Sequence, residues 1–370
     1  MGSVRALCRR SAVNVRGLDP GYFALVMATG IVSVGVMLEN VTWLSLVLLW
    51  IACVAFAILI LLNIWRLTAY RAAVVADTRD PRRGFAMFTF VAAADVVGTR
   101  LVPAGHRATA LVLLAVGSLA WLVLGYLIPW MALLGRARRP ILRDANGTWF
   151  IWVVASQSVA VLAATLEPIV HTGRNELASL AVISWSVGAF LYGGTGLFVA
   201  ARLLSYPLRP SDLTPPFWVA MGATAITVVA GAKIVQMADA PAATAAHEIA
   251  AGLSIAFWAF GTWLIPALLA AGVWRHVIHR VPLRYEPALW SIVFPLGMYG
   301  VACRYLGAAD HLPGLDTAGA VETWFAVAAW LVTFVAMLVH LTRTLGQPTD
   351  AASTSVARDG SGDQGVRTAD

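Results

Sequence analysis

The stretch Leu289–Gly307, LWSIVFPLGMYGVACRYLG, is apolar and long enough to lie in a lipid bilayer, yet it carries Pro295 in its interior. Proline removes a backbone donor and clashes with the preceding turn, so a helix interior tolerates it only with a bend. Phe294 stands immediately before it, and Gly297, Gly300 and Gly307 leave room for close backbone approach. A bent helix of small residues with an aromatic at the bend faces something other than lipid. We therefore expect it to face a central pathway, with Pro295 as the kink and Phe294 narrowing the opening.

The rest of the chain fits a membrane setting. Of 370 residues, 59% are hydrophobic and 12% charged, with a mean hydropathy of +0.77. Charged residues alone supply about a quarter of a soluble domain, so this composition describes a polytopic membrane protein. The net charge of +7 comes from basic residues that are all arginine except Lys233 and that cluster in loops. Such clustering reads as membrane topology and gives no reason to expect a nucleic-acid partner. Cys8, Cys53 and Cys303 are far apart and form no CxxC, so neither a zinc site nor a disulfide framework is indicated.

Counted in units of about 20 apolar residues, the chain holds ten candidate spans: 21–38, 42–65, 85–102, 107–134, 149–166, 178–204, 216–237, 245–273, 287–307 and 318–343. Residues 1–17 read as a basic cytoplasmic tail, 18–345 as the transmembrane domain, and the Gly/Ser/Asp-rich residues 346–370 as a disordered cytoplasmic tail. With both ends inside, the cytoplasmic loops carry most of the arginines. The outer side holds only Arg100, Arg107, Arg174 and Arg304. This alternation obeys the positive-inside rule of the plasma membrane and supports an even count of ten.

The odd spans begin roughly 64–71 residues apart, the length of one helical hairpin. The first opens YFALVMATGI from Tyr22 and the seventh FWVAMGATAI from Phe217. The third and fifth share the aromatic start and the small-residue middle. The even spans are longer and richer in Leu, Val and Ala. An all-α fold follows: five hairpins in a quasi-fivefold ring, with the odd helices inside around a central pore and the even ones facing lipid. Close packing of small residues is the plainer account of the odd helices.

Polar groups in hydrocarbon need a reason. Thr29, Gly30, Phe90, Gln157, Thr224 and Gly297 are candidate pore-lining residues. Serine and threonine also satisfy themselves on their own helix, and Gln157 also serves as interhelical glue. Lys233, near the outer end of the seventh span, either snorkels to the interface or attracts anions at an outer mouth. Asp95 forms a structural ion pair with Arg100, or else couples protons. His276 and His279 have an HxxH spacing but lack further ligands nearby, so no metal is expected there. No nucleophile elbow, P-loop or dinucleotide fingerprint is present, and neither an enzyme nor a cofactor is indicated.

Together FALVMATGI at Phe23, PPFWVAMGA at Pro215 and WSIVFPLG at Trp290, in this order and spacing, resemble the tellurite-resistance/dicarboxylate transporter family. That family includes plant slow-type anion channels, the bacterial tellurite-resistance permease and yeast malate and sulfite carriers. The resemblance covers about residues 18 to 345. It implies a homotrimer with one anion-selective pore per subunit, occluded midway by a phenylalanine on the ninth helix, here Phe294. It also implies kinks in the inner helices, for which Gly30, Gly98, Gly222 and Gly297 are placed, whereas Pro168 falls near an outer end. Lys233 matches no family motif. The expected partners are small inorganic or organic anions and the lipid bilayer. The expected activity is an anion channel. The alternatives are a proton-coupled C4-dicarboxylate, sulfite or tellurite carrier and, from another class, a membrane enzyme or structural subunit.

Overall fold

The computed structural model describes residues 15–134, 140–237, 240–309 and 313–346. Most of the expected N-terminal tail, nearly all of the C-terminal tail, and Arg136, Arg138 and Arg139 lie outside the described residues. The described chain is helical throughout and contains no strand. Ten helices are long and apolar enough to cross a bilayer. We number them α1 (Ala24–Leu38), α2 (Thr42–Ala69), α3 (Thr89–Leu101), α4 (Arg107–Leu134), α5 (Phe150–Leu166), α6 (Arg174–Ser205), α7 (Val219–Val235), α8 (Pro241–Val273), α9 (Trp290–Ala309) and α10 (Pro313–Gly346). A short unnumbered helix, Arg71–Arg79, follows α2.

The odd helices are shielded and the even ones are not. In an apolar 18-residue stretch of each span, between 67% and 83% of residues are buried in the odd spans, against 11% to 33% in the even ones. The exposed side chains of the even helices include Trp43, Trp50, Phe190 and Leu204, residues at home against lipid or another apolar surface. Each odd helix packs against the even helix that follows it. The odd helices also pack on one another in the order α1, α3, α5, α7, α9 and back to α1.

Every odd helix is entered directly from a 3-10 turn: Pro20–Phe23, Gly84–Phe88, Gly147–Trp149, Pro215–Trp218 and Pro287–Leu289. Three of these open on proline, whose fixed φ and missing N–H suit a helix start. Asp19 and Asn146 cap two of them, accepting from the N–H groups of Gly21 and Thr148 at 2.7 Å each. The five opening turns touch one another in the same cyclic order as their helices. Gly147 is needed there, because a side chain would collide with the backbone of Pro216 and Phe217 in the next turn.

Glycines set the spacing between inner helices. A Cβ at Gly30 of α1 would meet Val96 of α3, and one at Gly98 of α3 would meet Leu162 of α5. One at Gly222 of α7 would meet Pro295 of α9, and one at Gly297 of α9 would meet Ile31 and Val32 of α1. Four of the five inner seams are thus closed by glycine against a neighbour's side chain. Helix α9 runs through Pro295 as one continuous element, and the proline ring fills the space that Gly222 leaves.

Candidate functional site

All five inner helices line a single cavity inside the cycle, with about 20 Å³ open to the centres of water molecules, enough for about one water. Each helix contributes two residues three apart: Ile31 and Val34, Val96 and Thr99, Ser158 and Val161, Ile226 and Val229, Met298 and Val301. The first members of these pairs follow one another at intervals of 65, 62, 68 and 72 residues. The five hairpins therefore present the same position to the same space. The wall is almost wholly apolar. Its polar groups are Thr99, Ser158 and, at the end far from the opening turns, Lys233 and Tyr305. The Lys233 amine lies 4.6 Å from the centre of the Tyr305 ring, a cation–π contact that holds the charge at the cavity's edge.

Phe294 is fully buried. It lies one helical turn before Met298 on the face of α9 that carries Met298, Val301 and Tyr305. The same step back on the other helices reaches Met27, Ala92, Val154 and Gly222. At this level, then, three helices carry a small or mid-sized residue, one a methionine and one the phenyl ring. Met27, Ala92 and Val154 are also fully buried.

Several residues expected to line the path face elsewhere. Thr29 bonds its own helix at Leu25 and accepts from Trp330 Nε1 of α10 at 2.9 Å. Gln157 donates to the Trp185 carbonyl of α6 at 3.1 Å, and Gly188 of α6 makes room for its amide. Thr224 abuts Gly261 of α8. Phe90 packs among Phe23 and Phe56, with ring centres 5.2 and 6.0 Å away. These side chains hold the inner helices to the outer ones, where an unpaired polar group would be costly. Gly30 and Gly297 lie in the seams between inner helices.

Asp95 and Arg100 are not paired. Asp95 is fully buried one layer behind the cavity. Its Oδ2 accepts from Ser158 Oγ at 3.1 Å, Oδ1 has no donor, and Gly117 of α4 leaves the space it occupies. Arg100, also buried, donates through Nε to Ser33 Oγ and Ser45 Oγ at 3.1 Å each and through Nη2 to Ser45 Oγ at 2.8 Å. Five residues along a helix is about 140° around it, so the two side chains leave α3 in different directions. Two other outer arginines do meet carboxylates: Arg174 with Glu167 at 2.6 Å, and Arg304 with Asp316 at 2.9 Å. Among the described residues no group of three metal-ligating side chains comes together.

Ten spans with five inner helices walling a shared cavity, and a lone lysine at its edge, make a multi-pass membrane protein of the channel or transporter class. The sequence profile of the SLAC1 family, described as voltage-dependent anion channel, matches residues 17–338, and the chain belongs to that family. An uncharacterized membrane protein of Mycobacterium tuberculosis is 64% identical over 158 residues, which cover 43% of this chain and 80% of that protein. An uncharacterized transporter of Methanocaldococcus jannaschii is 22% identical over 336 residues, 89% of this chain and 94% of that protein. A second uncharacterized transporter of that organism is 21% identical over 328 residues, 87% of this chain and 94% of its own length.

Proposed function

We propose that the protein is an anion channel of the plasma membrane whose path runs through the cycle of inner helices and is closed at Phe294. The observation that carries this reading is the cavity common to α1, α3, α5, α7 and α9, apolar except for two hydroxyls and the Lys233–Tyr305 pair, with a fully buried phenyl ring one turn further along. An apolar constriction excludes water and ions until the blocking side chain moves. Lys233 raises the local concentration of anions without binding them tightly. Selectivity among anions is then weak, and chloride, nitrate, sulfite and dicarboxylates are all candidates. In this reading the termini are cytoplasmic and the assembly is a homotrimer whose subunits each hold a path.

Asp95 favours a second reading, a proton-coupled anion carrier. Its Oδ1 has no partner, and Ser158, which lines the cavity, donates to Oδ2, so one hydroxyl separates the carboxyl group from the cavity. Purified protein in planar bilayers separates the two. Stepwise anion currents indifferent to a pH gradient support the channel; smooth flux that follows the gradient and fails in Asp95→Asn supports the carrier. Folded protein that passes no anion refutes both.

A further inference from the structure

We propose that the face of the opening turns carries a separate binding site for a phosphate-bearing anion, in a cavity of about 260 Å³ framed by Arg82, Arg143, Arg202 and Arg209. The four arginines come from four different segments. Arg82 precedes the turn into α3, Arg143 lies between α4 and α5, Arg202 is in the last turn of α6, and Arg209 lies between α6 and α7. One carboxylate shares the cavity, Asp212. It is 3.5 Å from Arg202 Nη2 and accepts the backbone N–H of Arg209 at 3.1 Å. Asp144 takes Arg82 Nε at 2.9 Å. Among the described residues the guanidinium groups of Arg143 and Arg209 have no carboxylate partner.

Arg202 is the informative member. It is only 8% exposed. Its Nε donates to the Arg143 carbonyl at 2.8 Å and its guanidinium stands 5.5 Å from the centre of the Tyr206 ring, yet Nη1 has no partner. A charged donor buried with one N–H group unmet is costly. The positive-inside rule explains arginines on one face; it does not explain four of them converging on one cavity with one nearly buried. Guanidinium forks match phosphate oxygens in pairs. A halide, small and without directional acceptors, cannot engage groups spread around this volume. The site shares no residue with the cavity between the inner helices, while Arg82, Arg143, Arg202 and Asp212 also line an adjoining cavity that reaches Pro216 and Phe217 in the opening turn of α7. The phosphate comes either from an anionic lipid headgroup at the membrane surface or from a soluble phosphate ester.

The test uses full-length protein in neutral detergent and reads its unfolding temperature. One arm titrates inorganic pyrophosphate against sodium chloride at equal ionic strength. The other titrates phosphatidylglycerol against phosphatidylcholine. Arg143→Gln/Arg209→Gln is the variant, because both side chains are exposed and outside any ion pair. Saturable stabilisation in the first arm identifies a soluble ester, and in the second alone a lipid headgroup. In either case the double variant needs about tenfold more ligand per arginine removed. No saturable effect in either arm, or an equal effect on the variant, overturns the site.

Discussion

Replacing Phe294 with alanine removes the largest side chain at the level below the inner cavity and leaves Met27, Ala92, Val154 and Gly222 at the same height on the other inner helices. The phenyl ring is fully buried. Deleting such a ring from a packed interior costs about 3–5 kcal/mol, which bounds the free energy that keeps it in place. If swinging the ring aside costs about 3 kcal/mol, the path is open for roughly one part in 100 of the time, since 1.36 kcal/mol is a factor of ten. Phe294→Ala should therefore raise single-subunit anion conductance by up to about 100-fold, with Phe294→Leu in between. The vacated space joins a cavity whose nearest wall residue, Met298, is about 6 Å along the helix axis. The assay is current in planar bilayers under symmetrical chloride, with elution volume and unfolding temperature checked in parallel. The variant should also unfold at a lower temperature, because packing is lost. A Phe294→Ala protein that elutes and unfolds cooperatively but passes no more current than the parent refutes the plug.

Lys233 is about 10 Å along the axis from the middle of the cavity by helical rise, and at an effective dielectric of about 20 its charge is worth roughly 1.7 kcal/mol there. Lys233→Gln should cut anion current about tenfold at low salt and less at high salt; a salt-independent loss would point to packing against Tyr305 instead. On the opposite side of the protein, Asp77 accepts Arg66 Nη2 at 2.6 Å with both side chains nearly buried, and also meets Arg83 Nε at 2.8 Å. Asp77→Ala leaves the Arg66 charge uncompensated and should cost about 3–5 kcal/mol of stability, read as a lower denaturation midpoint. Burial, with the Tyr22 hydroxyl beside it, raises the Tyr285 phenol above its usual value of 10.0. The folded state then keeps the proton where the unfolded state loses it, so this contribution to stability is full below pH 10 and fades as pH rises further. Tyr285→Phe should flatten the fall in unfolding temperature above that pH, and an unchanged slope would count against a buried neutral phenol.

The spans were legible because hydropathy and length decide them: the ten counted from sequence agree with the helices to within a few residues at most ends. The opening turns were half legible. Their prolines and aromatics stand out, but a 3-10 turn differs from a first helical turn only in geometry. The cavity wall was hidden. Ile31, Val34, Val96, Val229 and Val301 look like any packed residue, because a narrow apolar path and a core use the same side chains. The polar residues misled for a related reason. An inner helix is covered on every side, so Thr29, Gln157 and Thr224 carry no mark of which neighbour they face. Asp95 and Arg100 were read by proximity in sequence where angle around the helix decides. Setting the five hairpins in one register would have exposed the recurring pairs, since their spacing follows the hairpin length.

The placement of polarity bears on what kind of selectivity this fold allows. Polar side chains on the inner helices are mostly spent on the seams toward α6, α8 and α10, where they fix the hairpins. The wall of the cavity keeps three hydroxyls and one amine, and two of the hydroxyls are already engaged: Thr99 donates to the Asp95 carbonyl of its own helix, and the Ser158 proton is shared between the Ala155 carbonyl and Asp95 Oδ2. A passing anion therefore meets few free donors and must keep most of its water or wait for the ring to move. Discrimination by ligand geometry needs donors aimed at the ion, whereas discrimination by sign needs only potential. Lys233 and the buried Arg100, which has no carboxylate partner among the described residues, supply that potential from the far end. Arg100→Gln should accordingly lower anion-over-cation selectivity while leaving the order among anions unchanged, measured as reversal potentials under salt gradients. A reordering of chloride, nitrate and sulfite in that variant would mean that Arg100 touches the ion, and that the wall selects by contact.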